Sequence, residues 1–368
     1  MTTKLLAALG LLLLLPHLQA GESIGSERLD FAFEGRRLSG VLDRPAGRPA
    51  SGIVILVHGH GQTNAVAGKW YRDLRSRFAE MGLASYVWDK AGCGQSEGTY
   101  DHNQSVQSSA REVLAAIGEL KRRDVAGSGH IGLWGISRAG WICPLVIEEM
   151  PSIAFWISVS GTDDKESFGY LLEANLRIEG RNEAEARALA AEWRRGGALF
   201  RKGGTWAEYL RATENLRRDP FYDAFFHEDG TEEGYRANQR RLMAENHPFD
   251  EASGLAIYVP QFRETLSKIR CPVLALFGEK DSIVDWRRTL ALYQETMGRS
   301  EGALLTVKTF PGCNHNLQQC QTGGFRETRT SPPQPACEGY LDTISAWIKA
   351  KGLATAAKSR APLHRRSR

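Results

Sequence analysis

What most constrains this chain is a series of short, dense apolar runs, each followed by a segment of helical period. Gly52–Val57, Leu83–Trp88, Ile131–Trp134 and Ile153–Val159 are the first four. A β-branched run with no polar face predicts a strand buried on both sides. Between the runs, Lys69–Met81 sets Trp70, Leu74 and Phe78 on one helical face, and Gln104–Lys121 and Arg138–Glu149 also read as helices. This alternation predicts an α/β domain, its mostly parallel sheet covered by helices on both faces. Functional residues are then expected on loops at the carboxyl ends of strands. Upstream, Arg28–Phe33 and Leu38–Leu42 predict a hairpin around Glu34-Gly35, and Pro45, Gly47 and Pro49 break the chain after it.

The pattern stops at Gly161 and returns at Pro272–Phe277, followed by helix Trp286–Met297, strand Ala303–Phe310 and helix Tyr340–Lys349. Residues 162–260 between them are polar and helical, with charged runs such as Arg181–Arg195. The expected organisation is a leader over 1–20, a core over 21–161 and 261–352, a helical cap over 162–260, and a basic tail over 353–368. Aromatic residues of the cap, Trp193, Trp206, Phe221, Tyr222, Phe225 and Phe226, have two possible uses: walling an apolar pocket or fixing the cap to the core.

The leader reads as a secretory signal. Lys4 precedes the apolar run Leu5–Leu15, and Leu18-Gln19-Ala20 ends on a small residue. The run is too short to span a bilayer comfortably, and no cysteine follows it to carry a lipid. The expected location is periplasmic or secreted, with no stable membrane insertion once the signal is cleaved. Export makes disulfides the expected state of the six cysteines. Cys320 and Cys337 bracket a Gly/Pro/Thr-rich stretch and are the expected pair, whereas Cys143 and Cys271 sit in apolar surroundings and read as core. No Cys-x-x-Cys occurs, so a structural zinc site is not expected. The net charge of +4 falls partly on the tail (Lys358, Arg360, Arg365, Arg366, Arg368), and no basic patch interleaved with aromatics argues for nucleic acid.

Gly135-Ile136-Ser137-Arg138-Ala139-Gly140 lies where a buried strand gives way to a helix. A serine there is either a helix N-cap or a nucleophile on a strained turn. A nucleophilic serine needs a base, usually a histidine held by a carboxylate. Of nine histidines, His17 and His364 lie in the leader and tail, His227 and His247 in the insertion, His58 and His60 on a loop, His102 before a helix and His130 at a strand start. His315 remains, just past the last strand. Asp281, in Gly278-Glu279-Lys280-Asp281 after Pro272–Phe277, is the favoured acid. Asp163 and Asp164 are the alternatives, and Asp285 suits the start of the helix at Trp286. His58-Gly59-His60-Gly61 follows the first buried strand, and its glycines allow close approach of backbone to a ligand. The N–H groups of His60 and Arg138 are the expected oxyanion donors. His58 is expected to brace the loop, and the Arg138 side chain to point into a salt bridge rather than line the acyl site.

With these four motifs in this order the chain resembles the α/β-hydrolase superfamily over nearly all of its length outside the leader and cap. Asp89-Lys90-Ala91-Gly92-Cys93-Gly94-Gln95-Ser96 is similar to a loop of its esterase and serine aminopeptidase branches. The resemblance implies an α/β-hydrolase fold with Ser137 as nucleophile, His315 as base and Asp281 as orienter, and no metal or organic cofactor. Ala139 departs from the second glycine of the serine motif. The expected activity is hydrolysis of a small-molecule carboxylic ester. A serine peptidase of the aminopeptidase or prolyl-oligopeptidase kind is the alternative, and a non-catalytic binding protein on the same fold a remoter one.

Overall fold

The structure is a computed structural model and describes residues 24–67, 71–165, 168–226, 230–244, 249–250, 255–256, 259–298, 304–332 and 334–354. The leader, the tail from 355 onward, Lys69 and Trp70 at the start of the first expected helix, and Ala303 lie outside them.

Strand β1 (Ile24–Arg28) is followed by β2 (Phe31–Phe33), β3 (Arg36–Leu38) and β4 (Gly40–Pro45). β2 and β3 form a hairpin at the expected turn, with Glu34 and Gly35 both at positive φ (48° and 75°) as a tight two-residue connection requires. Its strands are shorter than expected, because residues 40–42 belong to β4 and pair with β1 and with the strand Ala84–Trp88. The alternation then runs β5 (Ile53–Val57), α1 (Arg72–Glu80), β6 (Ala84–Trp88), α2 (Val106–Arg122), β7 (Ile131–Ile136), α3 (Ala139–Glu149) and β8 (Phe155–Val159).

The segment after β8 holds α4 (Phe168–Ile178), α5 (Glu183–Arg201), α6 (Trp206–Ala212), α7 (Glu214–Arg218), α8 (Pro220–Phe225) and α9 (Glu232–Ala244), then β9 (Phe249–Asp250) paired with β10 (Leu255–Ala256). Local chemistry sets its helix starts. Asn182 with Glu185, and Thr205 with Glu208, form capping boxes, and Asp219 caps α8 ahead of Pro220. The chain returns through α10 (Phe262–Ser267) to β11 (Val273–Gly278), α11 (Trp286–Thr296), β12 (Leu305–Phe310), α12 (Phe325–Thr330) and α13 (Tyr340–Ala350). The short helices α10 and α12 are absent from the sequence reading; each is only six residues, too few to display a period.

Eight strands make one sheet in the order β1-β4-β6-β5-β7-β8-β11-β12. Pairing is parallel from β6 to β12 and antiparallel at the β1–β4 edge. Period-two alternation sends Ile53, Ile55, Leu133 and Ala275 to a core shared with α2, α3, α10 and α11. Val54, Leu56, Trp134 and Leu276 face the other way, against α1 and α13. β5 pairs with β6 on one side and β7 on the other, so strand order reverses there. Loops leaving the carboxyl ends of β5 and β7 therefore open beside a crevice suited to a ligand. Among the described residues no helix is long and apolar enough to cross a membrane.

Candidate active site

Ser137 occupies the turn between β7 and α3 at φ 56°, a left-handed conformation that a non-glycine residue adopts only under constraint. The constraint is visible on both sides. The Ser137 N–H donates to Val159 O at 2.9 Å, continuing the sheet register, while its carbonyl accepts the Gly140 N–H at 2.7 Å and starts the helix. The flanking small residues are a packing requirement. A Cβ at Gly135 would sit 2.8 Å from both Ala139 Cβ and Cys143 Sγ, and one at Gly140 would meet Thr162 N at 2.6 Å. Ala139 fits fully buried, so the motif tolerates it in place of glycine.

The β5–α1 loop lies directly against this turn: a Cβ built on Gly59 would stand 3.4 Å from Ser137 Cβ. His58 is buried and its Nε2 donates to Trp88 O at 2.6 Å, with the ring edge-on to the indole. Burial, and then the Lys90 charge, push its pKa down to about 3, so the ring is neutral and braces the loop. His60 meets the ring of His102 edge-to-face at 4.6 Å, although His102 shows no such link in sequence. Enclosure lowers the His60 pKa, and His102, Arg138 and Lys90 lower it further.

The loop after β6 supplies two residues whose roles the sequence reading did not assign. Asp89 is fully buried, and its carboxylate accepts the N–H groups of Val66 (2.9 Å) and Gln95 (3.1 Å), tying together the loops after β5 and β6. Lys90 Nζ donates to the carbonyls of Gly59 and Gly61, both at 2.7 Å. Beside Lys90 a cavity of about 340 Å³ is lined by Phe33, Leu38, Tyr100, Gln104 and Glu112 among others.

Asp281 and His315 follow β11 and β12, which are adjacent and parallel. His315 Nδ1 donates to Asp281 Oδ2 at 2.8 Å, and both residues are buried. Asp281 Oδ1 accepts the N–H groups of Ile283 (2.8 Å) and Val284 (2.9 Å), which fixes the carboxylate's orientation. Asn314 shapes the histidine loop, its Oδ1 accepting the N–H groups of Asn316 and Gln318. The other acids have different work. Asp285 caps α11 through the Arg287 and Arg288 N–H groups, while Asp163 and Asp164 face Arg288 and Arg263.

From the 162–260 segment, the Tyr170 hydroxyl donates to Asp281 O at 3.0 Å. The buried Asn175 donates to Ser282 O at 3.0 Å and accepts the Phe325 N–H at 2.5 Å. The segment's aromatics mainly form a core of their own. Phe221 and Tyr222 are buried with Leu172, Leu176 and Leu216, while Phe225 meets the ring of Phe325 of α12 edge-on and Phe226 meets it at a tilt.

The Arg138 side chain donates to the Ser109 hydroxyl (3.0 Å) and to the Gln104 carbonyl at the start of α2. One expectation is corrected. The disulfide joins Cys313, not Cys320, to Cys337. A tight loop turns the chain back at Leu317 and sets Cys313 opposite Gln319 and Gln318 opposite Ala336. Cys313 and Cys337 are thereby buried in one cluster, while the half-buried Cys320 keeps its thiol on Gly312 O.

Residues 48–162 match the family described as serine aminopeptidase, S33. No curated protein matches the chain. Among solved structures, an esterase of Pyrococcus furiosus aligns at 13% identity and TM-score 0.52, covering 89% of this chain and 92% of its own. A proline iminopeptidase of Mycobacterium smegmatis aligns at 16% identity and TM-score 0.52, covering 89% and 99%. At such identities the likeness speaks for the fold, and it agrees with the strand order, the reversal between β5 and β7 and the helices on both faces: the chain has an α/β-hydrolase fold.

Proposed function

We propose that this protein is an exported serine hydrolase of carboxylic esters, with Ser137 as nucleophile, His315 as general base and Asp281 as its orienter. The observation that carries the reading is the His315–Asp281 hydrogen bond, made at the carboxyl edge of the sheet where Ser137 occupies its left-handed turn. A carboxylate accepts only, so Nδ1 carries the proton and Nε2 is left as the base. In this reading Ser137 Oγ attacks the acyl carbon and its proton passes to Nε2. The tetrahedral intermediate collapses, the alcohol leaves with that proton, and water releases the acyl group by the same route. The N–H groups of His60 and Arg138 receive the developing oxyanion. The cycle needs no metal or cofactor.

The 162–260 segment acts as a cap in this reading, supported by the Tyr170 and Asn175 hydrogen bonds to the acid loop. Export is supported by the leader sequence and is consistent with the Cys313–Cys337 pair.

A peptidase reading has the two peptidase likenesses in its favour, and requires carboxylates to hold a substrate ammonium. The acidic run 227–233 is the sequence candidate. Its residues 227–229 lie outside the described residues, and Glu232 pairs with Arg236 on exposed α9. Esters also carry better leaving groups than amides. The test is fluorophosphonate labelling, then kcat/KM for short-chain nitrophenyl esters against aminoacyl and prolyl anilides. Labelling with esters ahead is expected. If an anilide leads, and neutralising Glu232 and Glu233 removes that lead, the peptidase reading replaces this one.

A further inference from the structure

We propose that Lys90 is a positioning residue for acyl transfer: by gripping the two carbonyls that flank His60, it aims the His60 N–H at the oxyanion. The inference rests on the Ser137 reading above and adds a residue to it. The peptide unit that carries the Gly59 carbonyl also carries the His60 N–H. In a planar trans peptide these groups point in opposite directions, and no described peptide bond is cis. Holding Gly59 O on the Lys90 ammonium at 2.7 Å therefore turns the His60 N–H away from Lys90. The second hydrogen bond, at 2.7 Å, is to Gly61 O of the Gly61–Gln62 peptide unit, so the chain is held on both sides of His60. Gly59 packs against Ser137, so this oriented N–H belongs to the loop that borders the nucleophile.

The glycines make such a grip necessary. They leave the loop's backbone free to rotate, so its conformation depends on tertiary contacts. His58 anchors one end on Trp88 and Asp89 anchors the far end at Val66; Lys90 holds the middle.

The grip is charge-assisted and accordingly pH-sensitive. Burial, and then the Arg138 charge, lower the Lys90 pKa to about 8. Glu112 and Cys93 act in the opposite sense, and His58 and His60 face the ammonium from the loop it holds. Glu34, Arg36 and Asp101 line the same cavity. Below that pKa the ammonium is intact; above it the amine donates more weakly.

The test compares wild type, Lys90→Met, Lys90→Arg and Ser137→Ala on a nitrophenyl ester, with thermal melting of each. Removing an oxyanion donor outright costs about 10²- to 10³-fold in kcat, so loosening one should cost about 10- to 100-fold. Lys90→Met should show that loss in kcat with KM within about threefold. The wild-type kcat should fall as pH rises through about 8. Lys90→Arg, which keeps its charge, should retain activity and lack that fall. A folded Lys90→Met with kcat within about twofold of wild type, while Ser137→Ala is inactive, overturns the Lys90 role and spares the Ser137 reading. An active Ser137→Ala overturns both. Should Lys90→Met fail to fold, Lys90→Arg decides: an unchanged alkaline fall refutes the role.

Discussion

Asp281→Asn isolates the role assigned to the His315–Asp281 pair, because the structure separates what the carboxylate does for the fold from what it does for the histidine. Oδ1 accepts the Ile283 and Val284 N–H groups, and Oδ2 accepts from His315 Nδ1. An asparagine is nearly isosteric. With its oxygen on the two N–H groups it keeps the loop, and its NH₂ then faces Nδ1. Two donors cannot share that contact, so the imidazole takes the other tautomer and presents Nε2–H to the serine. The base is thereby lost without loss of geometry. A wrong tautomer in such a triad costs about 10⁴ in kcat, or about 5 kcal/mol of barrier. The melting temperature should stay close to wild type. Asp281→Ala should lose activity too, but it also leaves the half-buried Ile283 N–H and the buried Val284 N–H without their acceptor, the buried one costing about 1–3 kcal/mol of stability. Nitrophenyl ester turnover with calorimetric melting of both variants makes the comparison. If Asp281→Asn keeps more than about a tenth of wild-type kcat, well outside the 10⁴ expected, the orienting role is wrong. If its stability falls as far as that of the alanine variant, the division of labour between the two oxygens is wrong.

Ser137→Ala and His315→Ala should each cut turnover by about 10⁴- to 10⁶-fold, and the double variant little further, because the groups act as a unit. Multiplicative losses in the double variant would show independent action. Non-reducing peptide mapping should recover Cys313 bridged to Cys337 with Cys320 free for alkylation; a Cys320–Cys337 peptide would contradict the structure. Cys313→Ser, by opening a loop of sequence separation 24, should lower stability by about 3 kcal/mol in chemical denaturation. An unchanged midpoint would show that the bridge does not constrain the unfolded chain.

The sequence by itself determined the class of fold, because a strand buried on both faces must be written as an unbroken apolar run, and helices that cover a sheet must carry a period. Those signals are local, so β5, β7, β8 and β11 were legible, as was the break at Gly161. The order Ser137, Asp281, His315 was legible for a related reason: each follows a strand, and parallel strands deliver their loops to one edge. What depended on contacts between distant segments was not legible. Cys313 and Cys320 are interchangeable on the page, and only the return at Leu317 decides which of them meets Cys337. The Arg138 guanidinium found the start of α2, a partner that sequence does not advertise. Lys90 stood in a motif with no assigned work until folding laid its ammonium on two backbone carbonyls about thirty residues upstream. Carbonyls are the same at every position in a sequence. Which of them a buried ammonium will meet is settled by packing alone.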